Sequence, residues 1–270
     1  MTLRESIAKC LKEVKDKKPL IHHITNYVTV NDCANMALAL GASPVMADDI
    51  DEVEEMVLLA AALVINMGTL NARTIESMLV AGKKAKESGV PVIFDPVGVG
   101  ATNLRTSIAA KIIKDVRPSV IRGNMSEIKM IAGINAAIRG VDSVAEEEDG
   151  EYVASTLSRK LGCVVAITGK RDIIANYDRV LVIENGHYLL AQVTGTGCMA
   201  TTLIGCFCGS GGDLLTATAA GIMTMGLAGE VAERSIKPGE GIGTFRMRLF
   251  DAVSGLTPEG LLKGGMISEV

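Results

Sequence analysis

Four consecutive residues, Gly195-Thr196-Gly197-Cys198, form the stretch whose residue types and spacing best suit chemistry on an anion. An apolar segment without proline follows them directly and predicts a buried helix. Glycines let backbone N–H groups converge, and the first turn of a helix leaves about four such donors without partners. With the partial positive charge of a helix N-terminus, these donors predict a phosphate or oxyanion pocket into which Cys198 points. A helix that merely starts after a glycine-rich turn is an equally open interpretation of this stretch alone.

Alternating strands and helices are predicted to position this turn. Apolar runs bounded by turn-forming residues predict six strands, at 20–25, 43–47, 62–66, 90–94, 119–122 and 163–168. An antiparallel hairpin is predicted at 172–175 and 180–184, and further helices at 197–208, 213–235 and 241–254. Strands separated by helices are typical of βαβ units. We therefore expect one α/β domain over residues 1–270, with three αβα layers and a mostly parallel central sheet.

Polar or small residues follow most of the predicted strands. Because ligands bind outside the carboxyl ends of strands in open parallel sheets, these residues are the candidates for a site. They are Asn26, Met46, Gly68, Asp95, Arg122, Asn124, Thr168 and the turn at 194–198. A carboxylate, a guanidinium, amides and an anion pocket together favour a site that handles phosphate with a metal ion.

Three charged residues near these strand ends are the main candidates for chemistry. Asp95 can hold Mg²⁺ directly or through water, or it can serve the turn before Pro96. Glu127 stands three residues after Asn124, a spacing that favours a helix capping box over a ligand role. Arg122 directly precedes this helix start, where a guanidinium can bind phosphate oxygens in a fork.

The composition excludes several classes of protein. The formal net charge is −4 with both signs scattered, and aromatic residues are 3% of the chain, so we predict no nucleic-acid binding and no membrane-surface patch. The chain opens without a signal-peptide core, and no apolar run reaches the roughly 20 residues of a spanning helix, with 214–229 the nearest. We expect a soluble cytoplasmic protein with free thiols. The acidic run at 146–150 is interpreted as a solvated turn or a helix start.

Common catalytic motifs are absent from the sequence. Gly98-Val99-Gly100 lacks the third glycine of the dinucleotide fingerprint, and no Gly-x-x-x-x-Gly-Lys-Ser/Thr occurs. There is no Gly-x-Ser-x-Gly, and the chain has three histidines. These observations argue against a P-loop, an NAD site and a serine hydrolase.

Seven short strings along nearly the whole chain resemble the hydroxyethylthiazole kinase family of thiamin salvage, within the ribokinase-like superfamily. They are His-x-Ile-Thr-Asn at 22–26, Gly-Ala-Ser-Pro-Val-Met-Ala at 41–47, Asn-Met-Gly-Thr-Leu at 66–70, Asp-Pro-Val-Gly-Val-Gly-Ala-Thr at 95–102, Ile-Arg-Gly-Asn-Met-Ser-Glu-Ile at 121–128, Ile-Thr-Gly at 167–169 and Gly-Thr-Gly-Cys at 195–198. The last string and the one at 121–128 are together highly specific.

The resemblance implies a ribokinase-like fold and transfer of the ATP γ-phosphate to the primary hydroxyl of 4-methyl-5-(2-hydroxyethyl)thiazole. It implies ATP as co-substrate, Mg²⁺ as cofactor, and a homotrimer with its active sites at subunit interfaces. Carried over residue by residue, it implies thiazole contacts at Asn26, Met46, Gly68 and Gly195, ATP contacts at Arg122 and Thr168, and Mg²⁺ or phosphate ligands at Asp95 and Glu127. The turn Gly195, Thr196, Gly197 and Cys198 is then the catalytic centre.

Cys198 raises the question of the catalytic base. Other ribokinase-like enzymes have an aspartate at this place, whereas the thiazole kinases share the cysteine. A thiol has a pKa near 8.5, which a helix N-terminus can lower, but it is a poor proton acceptor from an alcohol. Phosphoryl transfer depends mainly on positioning and charge stabilisation. We therefore expect Cys198 to contribute position more than basicity.

Two other functions remain open at this point. One is the ATP- or ADP-dependent dehydratase of hydrated nicotinamide nucleotides, which shares the fold but normally carries the aspartate that is absent at Cys198. The other is a non-catalytic trimer that binds thiazole or thiamin-like ligands. The presence of both Asp95 and Glu127 argues against a binder, since it needs no metal ligands at a phosphate pocket.

Overall fold

A nine-stranded sheet forms the centre of the computed structural model, which describes residues 1–134, 149–177 and 179–270. Its strands are β1 (Leu20–Ile24), β2 (Ser43–Val45), β3 (Ala62–Asn66), β4 (Val92–Asp95), β5 (Val120–Asn124), β6 (Val164–Thr168), β7 (Asp172–Asn176), β8 (Arg179–Ile183) and β9 (Ile267–Glu269). Their order is β2-β1-β3-β4-β5-β6-β7-β8-β9, parallel as far as β6 and antiparallel from there on. The parallel strands therefore direct their carboxyl ends toward the same end of the sheet.

Helices cover both faces of this sheet. They are α1 (Leu3–Lys17), α2 (Val30–Leu40), α3 (Val53–Leu59), α4 (Ala72–Glu87), α5 (Asn103–Asp115), α6 (Met125–Ala132), α7 (Gly150–Leu161), α8 (Thr196–Gly209), α9 (Leu214–Arg234), α10 (Ile242–Ser254) and α11 (Pro258–Gly264), with a 3₁₀ helix at Tyr188–Gln192. Helices α3 to α7 share one apolar core with the sheet, and α1, α2 and α8 to α11 share the other.

Strand β3 shows how one sheet serves two cores. Leu63 and Ile65 are buried against the α3 to α7 layer, while Val64 between them is buried against the layer that contains α8. Successive side chains of a strand point to opposite faces, so an unbroken apolar run fits a strand that is covered on both sides. The predicted three-layer arrangement is therefore present.

Several element boundaries differ from the sequence prediction for local reasons. β4 begins at Val92 rather than at residue 90, because the Val90 N–H donates to Ala85 O at the end of α4. The pattern gives no signal for β9, a three-residue strand whose partner β8 is distant in sequence. Gly150 begins α7, in agreement with a helix start there, whereas 146–148 of the acidic run lie outside the described residues.

Helix α9 is long and apolar enough, by length and composition alone, to cross a membrane. Its most apolar window has a mean hydropathy of 1.4, but 78% of that window is buried inside the fold. It packs on α8 and α10, and a Cβ on Gly221 would lie 2.7 Å from the backbone nitrogen of Ile204. We interpret α9 as a core helix that supports α8, whose first turn follows Gly195.

Candidate active site

The side-chain amide of Asn66 joins four residues at the carboxyl ends of the strands. Its Oδ1 accepts hydrogen bonds from Asn26 Nδ2 at 3.0 Å and from the Gly68 N–H at 2.9 Å. Its Nδ2 donates to Asp95 Oδ2 at 2.9 Å and to Cys198 Sγ at 3.2 Å. We call Asn26, Asn66, Asp95 and Cys198 the Asn66 network. The ends of β1, β3 and β4 supply three of its members, and the first turn of α8 supplies the fourth.

The carboxylate of Asp95 is fully buried at the end of β4. Its Oδ2 accepts a second hydrogen bond from the Thr201 hydroxyl at 2.8 Å, and Arg122 Nη1 lies 3.7 Å away. Its Oδ1 has no hydrogen-bond partner among the residues that the structure describes. Burial raises the pKa of Asp95 from 3.8 to about 6, and the charge of Arg122 partly opposes this shift. A buried carboxylate with an unpartnered oxygen is a suitable ligand position for a cation.

The thiol of Cys198 lies between two side-chain amides. Its Sγ is 3.4 Å from Asn26 Nδ2 and 3.2 Å from Asn66 Nδ2. Burial raises the pKa of Cys198, and the nearby charge of Asp95 raises it further. Hydrogen bonds to Thr29, Asn66 and Asn26 lower the pKa of Cys198, but the net change is upward. The thiol stays protonated at neutral pH, which makes it a weak proton acceptor.

Two glycines stand where the chain enters α8, and each has a close neighbour. Gly195 has a φ of 87°, and a Cβ there would collide with Thr29. A Cβ on Gly197 would lie 2.7 Å from Arg122 Nη1, so the missing side chain makes room for the guanidinium. The first hydrogen bond of the helix runs from the Met199 N–H to Gly195 O at 2.8 Å. The amides between these two residues have no acceptor within the helix.

A cavity of about 680 Å³ opens beside this turn. Arg122 and Thr168 lie together in its wall, where Arg122 Nη2 donates to Thr168 Oγ1. The Thr196 hydroxyl donates to Leu190 O at 2.8 Å, so this side chain anchors the turn to the 3₁₀ helix. Other lining residues include Asn124, Asp172, Gly197, Leu190, Ile222 and Met225. The volume is that of a typical small-molecule site.

Glu127 forms the capping box that its spacing predicts. Its Oε2 accepts from the Asn124 N–H at 2.9 Å, and Asn124 Oδ1 accepts from the Glu127 N–H at 2.9 Å. Its Oε1 accepts from the Gly98 N–H at 2.8 Å, in the turn after β4. The capping role is confirmed, and the role toward Mg²⁺ stays a prediction. Within the described ranges no group of three or more His, Cys, Asp or Glu could hold a metal, so Mg²⁺ here would need phosphate oxygens and water as further ligands.

Met46 follows the edge strand β2 and is half-buried. β2 pairs with β1 so that Val45 lies opposite His22. The His22 Nε2 donates to Ala47 O at 2.7 Å and so holds the backbone that follows Met46. In the described part of the chain no hydrogen bond joins Met46 to the Asn66 network, so its contact with thiazole stays a prediction.

Two residues of the site, Asn66 and Thr201, are not predicted as site residues from the sequence. Asn66 ends a buried strand opposite Asp95 in the β3–β4 register, so the strand-end argument that singles out Asp95 applies to it as well. Thr201 lies one helical turn after Gly197 on α8. Its bond to Asp95 depends on how α8 packs on the sheet, and no local pattern reports that packing.

Known proteins resemble this chain over almost its whole length. Residues 11–259 match the model of the hydroxyethylthiazole kinase family. The hydroxyethylthiazole kinase of Alkaliphilus oremlandii is 51% identical over 100% of both chains. The solved structure of the hydroxyethylthiazole kinase protein from Pyrococcus horikoshii has a TM-score of 0.88 at 38% identity and covers 98% of each chain. A ribokinase-like superfamily protein from Enterococcus faecalis, at 12% identity and a TM-score of 0.65 over 88% of each chain, shows the fold alone and confirms it as ribokinase-like.

Replacing Asp95 with asparagine is expected to change how stability depends on pH. Because the native pKa of Asp95, about 6, lies above the unfolded value of 3.8, the folded state binds this proton more tightly. The stabilisation is present below pH 3.8 and is lost as pH rises through about 6. Between those limits the wild type should lose on the order of 3 kcal/mol of unfolding free energy relative to Asp95→Asn.

Urea unfolding of both proteins across this pH range measures the difference. Asp172 has a pKa raised by burial to about 7, but it is present in both proteins and cancels in the comparison. A difference in unfolding free energy that does not vary with pH would show that Asp95 does not bind its proton more tightly in the folded state.

Proposed function

The chain belongs to the hydroxyethylthiazole kinase family and is an ATP-dependent kinase of hydroxyethylthiazole, and we propose that the transfer takes place at the first turn of α8. One observation carries this proposal: adjacent residues of this turn belong to the 680 Å³ cavity and to the Asn66 network. Gly197 lines the cavity next to Arg122, and Cys198 bonds to Asn66. A phosphoryl group at this turn has a nucleotide site on one side and an acceptor site on the other.

ATP occupies the cavity with its phosphates toward Arg122 and Thr168. A guanidinium can bind phosphate oxygens in a fork, and Arg122 is held for this by Thr168 and by its proximity to Asp95. The first amides of α8 add donors and partial positive charge where the transferred group develops negative charge. One preorganised donor of this kind is worth about 10²–10³ in rate in acyl transfer, so several can carry most of the catalysis.

The thiazole alcohol binds on the side of Asn26, Met46, Gly68 and Gly195. Gly68 packs directly on Asn26, since a Cβ at Gly68 would lie 2.9 Å from Asn26 Cβ. Gly195 packs on Thr29, whose hydroxyl donates to Asn26 Oδ1 at 3.1 Å. These contacts support a pocket wall of defined shape next to Cys198.

Asp95 and Glu127 are the residues that would hold Mg²⁺. Asp95 Oδ1, which has no partner among the described residues, fits a cation ligand. Each Glu127 oxygen accepts one hydrogen bond and keeps a lone pair for water or metal. When bound, Mg²⁺ supplies charge neutralisation on the transferring phosphates. Arg122 favours the ionised form of Asp95 that such a ligand requires.

Cys198 holds the reacting groups in place in this mechanism. Its raised pKa leaves little thiolate at neutral pH, which argues against a base with a large catalytic effect. Two amide donors fix the Sγ at the start of α8, so it limits where the alcohol can approach. The dehydratase alternative is disfavoured because the family match is to the thiazole kinases.

We propose a homotrimer with active sites at subunit interfaces. Tyr27 and Val28 directly follow Asn26, and they are 77% and 57% exposed. Large apolar side chains that are exposed beside a site are typical of an interaction surface. We also propose the cytoplasmic location that the sequence predicts, because the cytoplasm supplies the ATP that the reaction consumes.

Light scattering of the purified protein is expected to give the mass of three chains. Val28→Asp places a charge on the exposed apolar surface beside Asn26 and is expected to shift the mass toward one chain, with a loss of turnover. Tyr152→Asp, which alters a side chain 69% exposed on α7, serves as the matched control and should keep the wild-type mass. A single-chain mass for the wild type at working concentration would rule out the trimer.

The substrate is identified by following ATP consumption with Mg²⁺ and hydroxyethylthiazole, with hydroxymethylpyrimidine and pyridoxal in parallel. We expect ADP together with a phosphorylated thiazole, and a kcat/KM at least about tenfold above those of the other alcohols, as pocket mismatch usually gives. Binding of thiazole without phosphorylation of any of the three alcohols would contradict the kinase mechanism and favour a binding protein.

Cys198→Ser is expected to fold normally and to keep at least about a tenth of the wild-type kcat, because a hydroxyl can accept from the same two amides. Cys198→Ala leaves those amides without this acceptor and should be slower. Steady-state kinetics with circular dichroism as a folding control measures both. If Cys198→Ser folds but shows no turnover, the positional role is wrong and the thiol itself takes part in proton transfer.

A further inference from the structure

Arg105 lies in the first turn of α5 and binds three backbone carbonyl groups. Its Nη1 donates to Met67 O and to Val97 O, both at 2.7 Å, and its Nη2 donates to Gly68 O at 2.7 Å. Met67 and Gly68 follow β3, whereas Val97 follows β4. One guanidinium therefore links the turn after β3 to the turn after β4 by hydrogen bonds.

The peptide group between Val97 and Gly98 is held from both sides. Its carbonyl accepts from Arg105, and its N–H donates to Glu127 Oε1 at 2.8 Å. Gly98 has a φ of 74°, which glycine adopts without strain. A cationic and an anionic side chain together set the orientation of this peptide, and charge-assisted hydrogen bonds are the stronger kind.

The turn after β3 is held in a similar way. The Gly68 N–H donates to Asn66 Oδ1, while the Gly68 carbonyl accepts from Arg105. Arg105 is thus linked through one glycine to the Asn66 network and through one peptide group to Glu127.

From this arrangement we propose that Arg105 is a positioning residue. It fixes the residues that bind the alcohol relative to the residues that bind the phosphates. The proposal rests on the proposed function, in which Gly68 and Asn26 face the alcohol while Asp95 and Glu127 face the phosphates. The guanidinium hydrogen bonds that the described residues make with Arg105 go to backbone carbonyl oxygens, so this side chain acts through the two turns. A lysine keeps the charge but not the planar fork, and it reproduces only part of this geometry.

Steady-state kinetics of Arg105→Ala and Arg105→Lys tests the proposal, with Arg179→Ala as the matched control. Arg179 pairs with Glu269 between β8 and β9, away from the strand ends that form the site. We expect kcat for hydroxyethylthiazole to fall about 10²-fold in Arg105→Ala, the order that a 1 Å misplacement costs, and to fall less in Arg105→Lys. KM for ATP should change less than about threefold, because the guanidinium of Arg105 bonds to Met67, Val97 and Gly68, whereas Arg122 pairs with Thr168 and Asp95.

Rescue of activity by added guanidinium ion distinguishes positioning from a purely structural role. If Arg105 only stabilised the fold, the ion would not restore kcat. Well below denaturing concentrations, it should raise the kcat of Arg105→Ala about tenfold and leave the wild type and Arg179→Ala unchanged. A kcat for Arg105→Ala within about twofold of the wild type would overturn the proposal. So would a loss of activity that matches a loss of folded protein by circular dichroism and is not rescued. A wild type that fails to phosphorylate the thiazole overturns the proposed function itself, and the positioning role with it.

Discussion

The fully satisfied amide of Asn66 is the interaction on which the rest of the site depends. A carboxamide offers two N–H donors and two acceptor lone pairs, and Asn66 uses all four, toward Asn26, Gly68, Asp95 and Cys198. The amide therefore has one orientation, since a flip would oppose donor to donor and acceptor to acceptor. Its partners come from two further strands, a turn and a helix, so their relative positions are set by a single planar group.

Burial of the Asp95 carboxylate is the electrostatic cost that this arrangement carries. Asn66 and Thr201 both donate to the same carboxylate oxygen, Oδ2, and Arg122 lies close enough to favour the charged form. The other oxygen has no partner among the described residues, so the charge is incompletely compensated by the chain itself. A cation and the phosphates of a nucleotide would complete the compensation. The pocket is therefore built at the expense of stability and depends on ligand for its full electrostatic balance.

The sequence predicts the architecture better than it predicts the contacts. Strand β3 is an unbroken apolar run that ends in a polar residue, and such runs predict a parallel sheet and the end at which ligands bind. The capping box of Glu127 follows from a spacing of three residues. Thr201 and Arg105 have no comparable signal, because their partners lie on other elements and are brought to them only by packing. The same limit applies to Cys198, whose raised pKa reflects burial among residues distant in sequence.

The approach of Arg122 to Gly197 has an evolutionary consequence. A Cβ on residue 197 would lie 2.7 Å from Arg122 Nη1, closer than side-chain atoms normally approach. Even alanine at position 197 would require this flexible end of Arg122 to move away from α8. The effect of a substitution at position 197 therefore depends on the side chain that stands at position 122. We expect selection to act on the two codons jointly rather than on each alone.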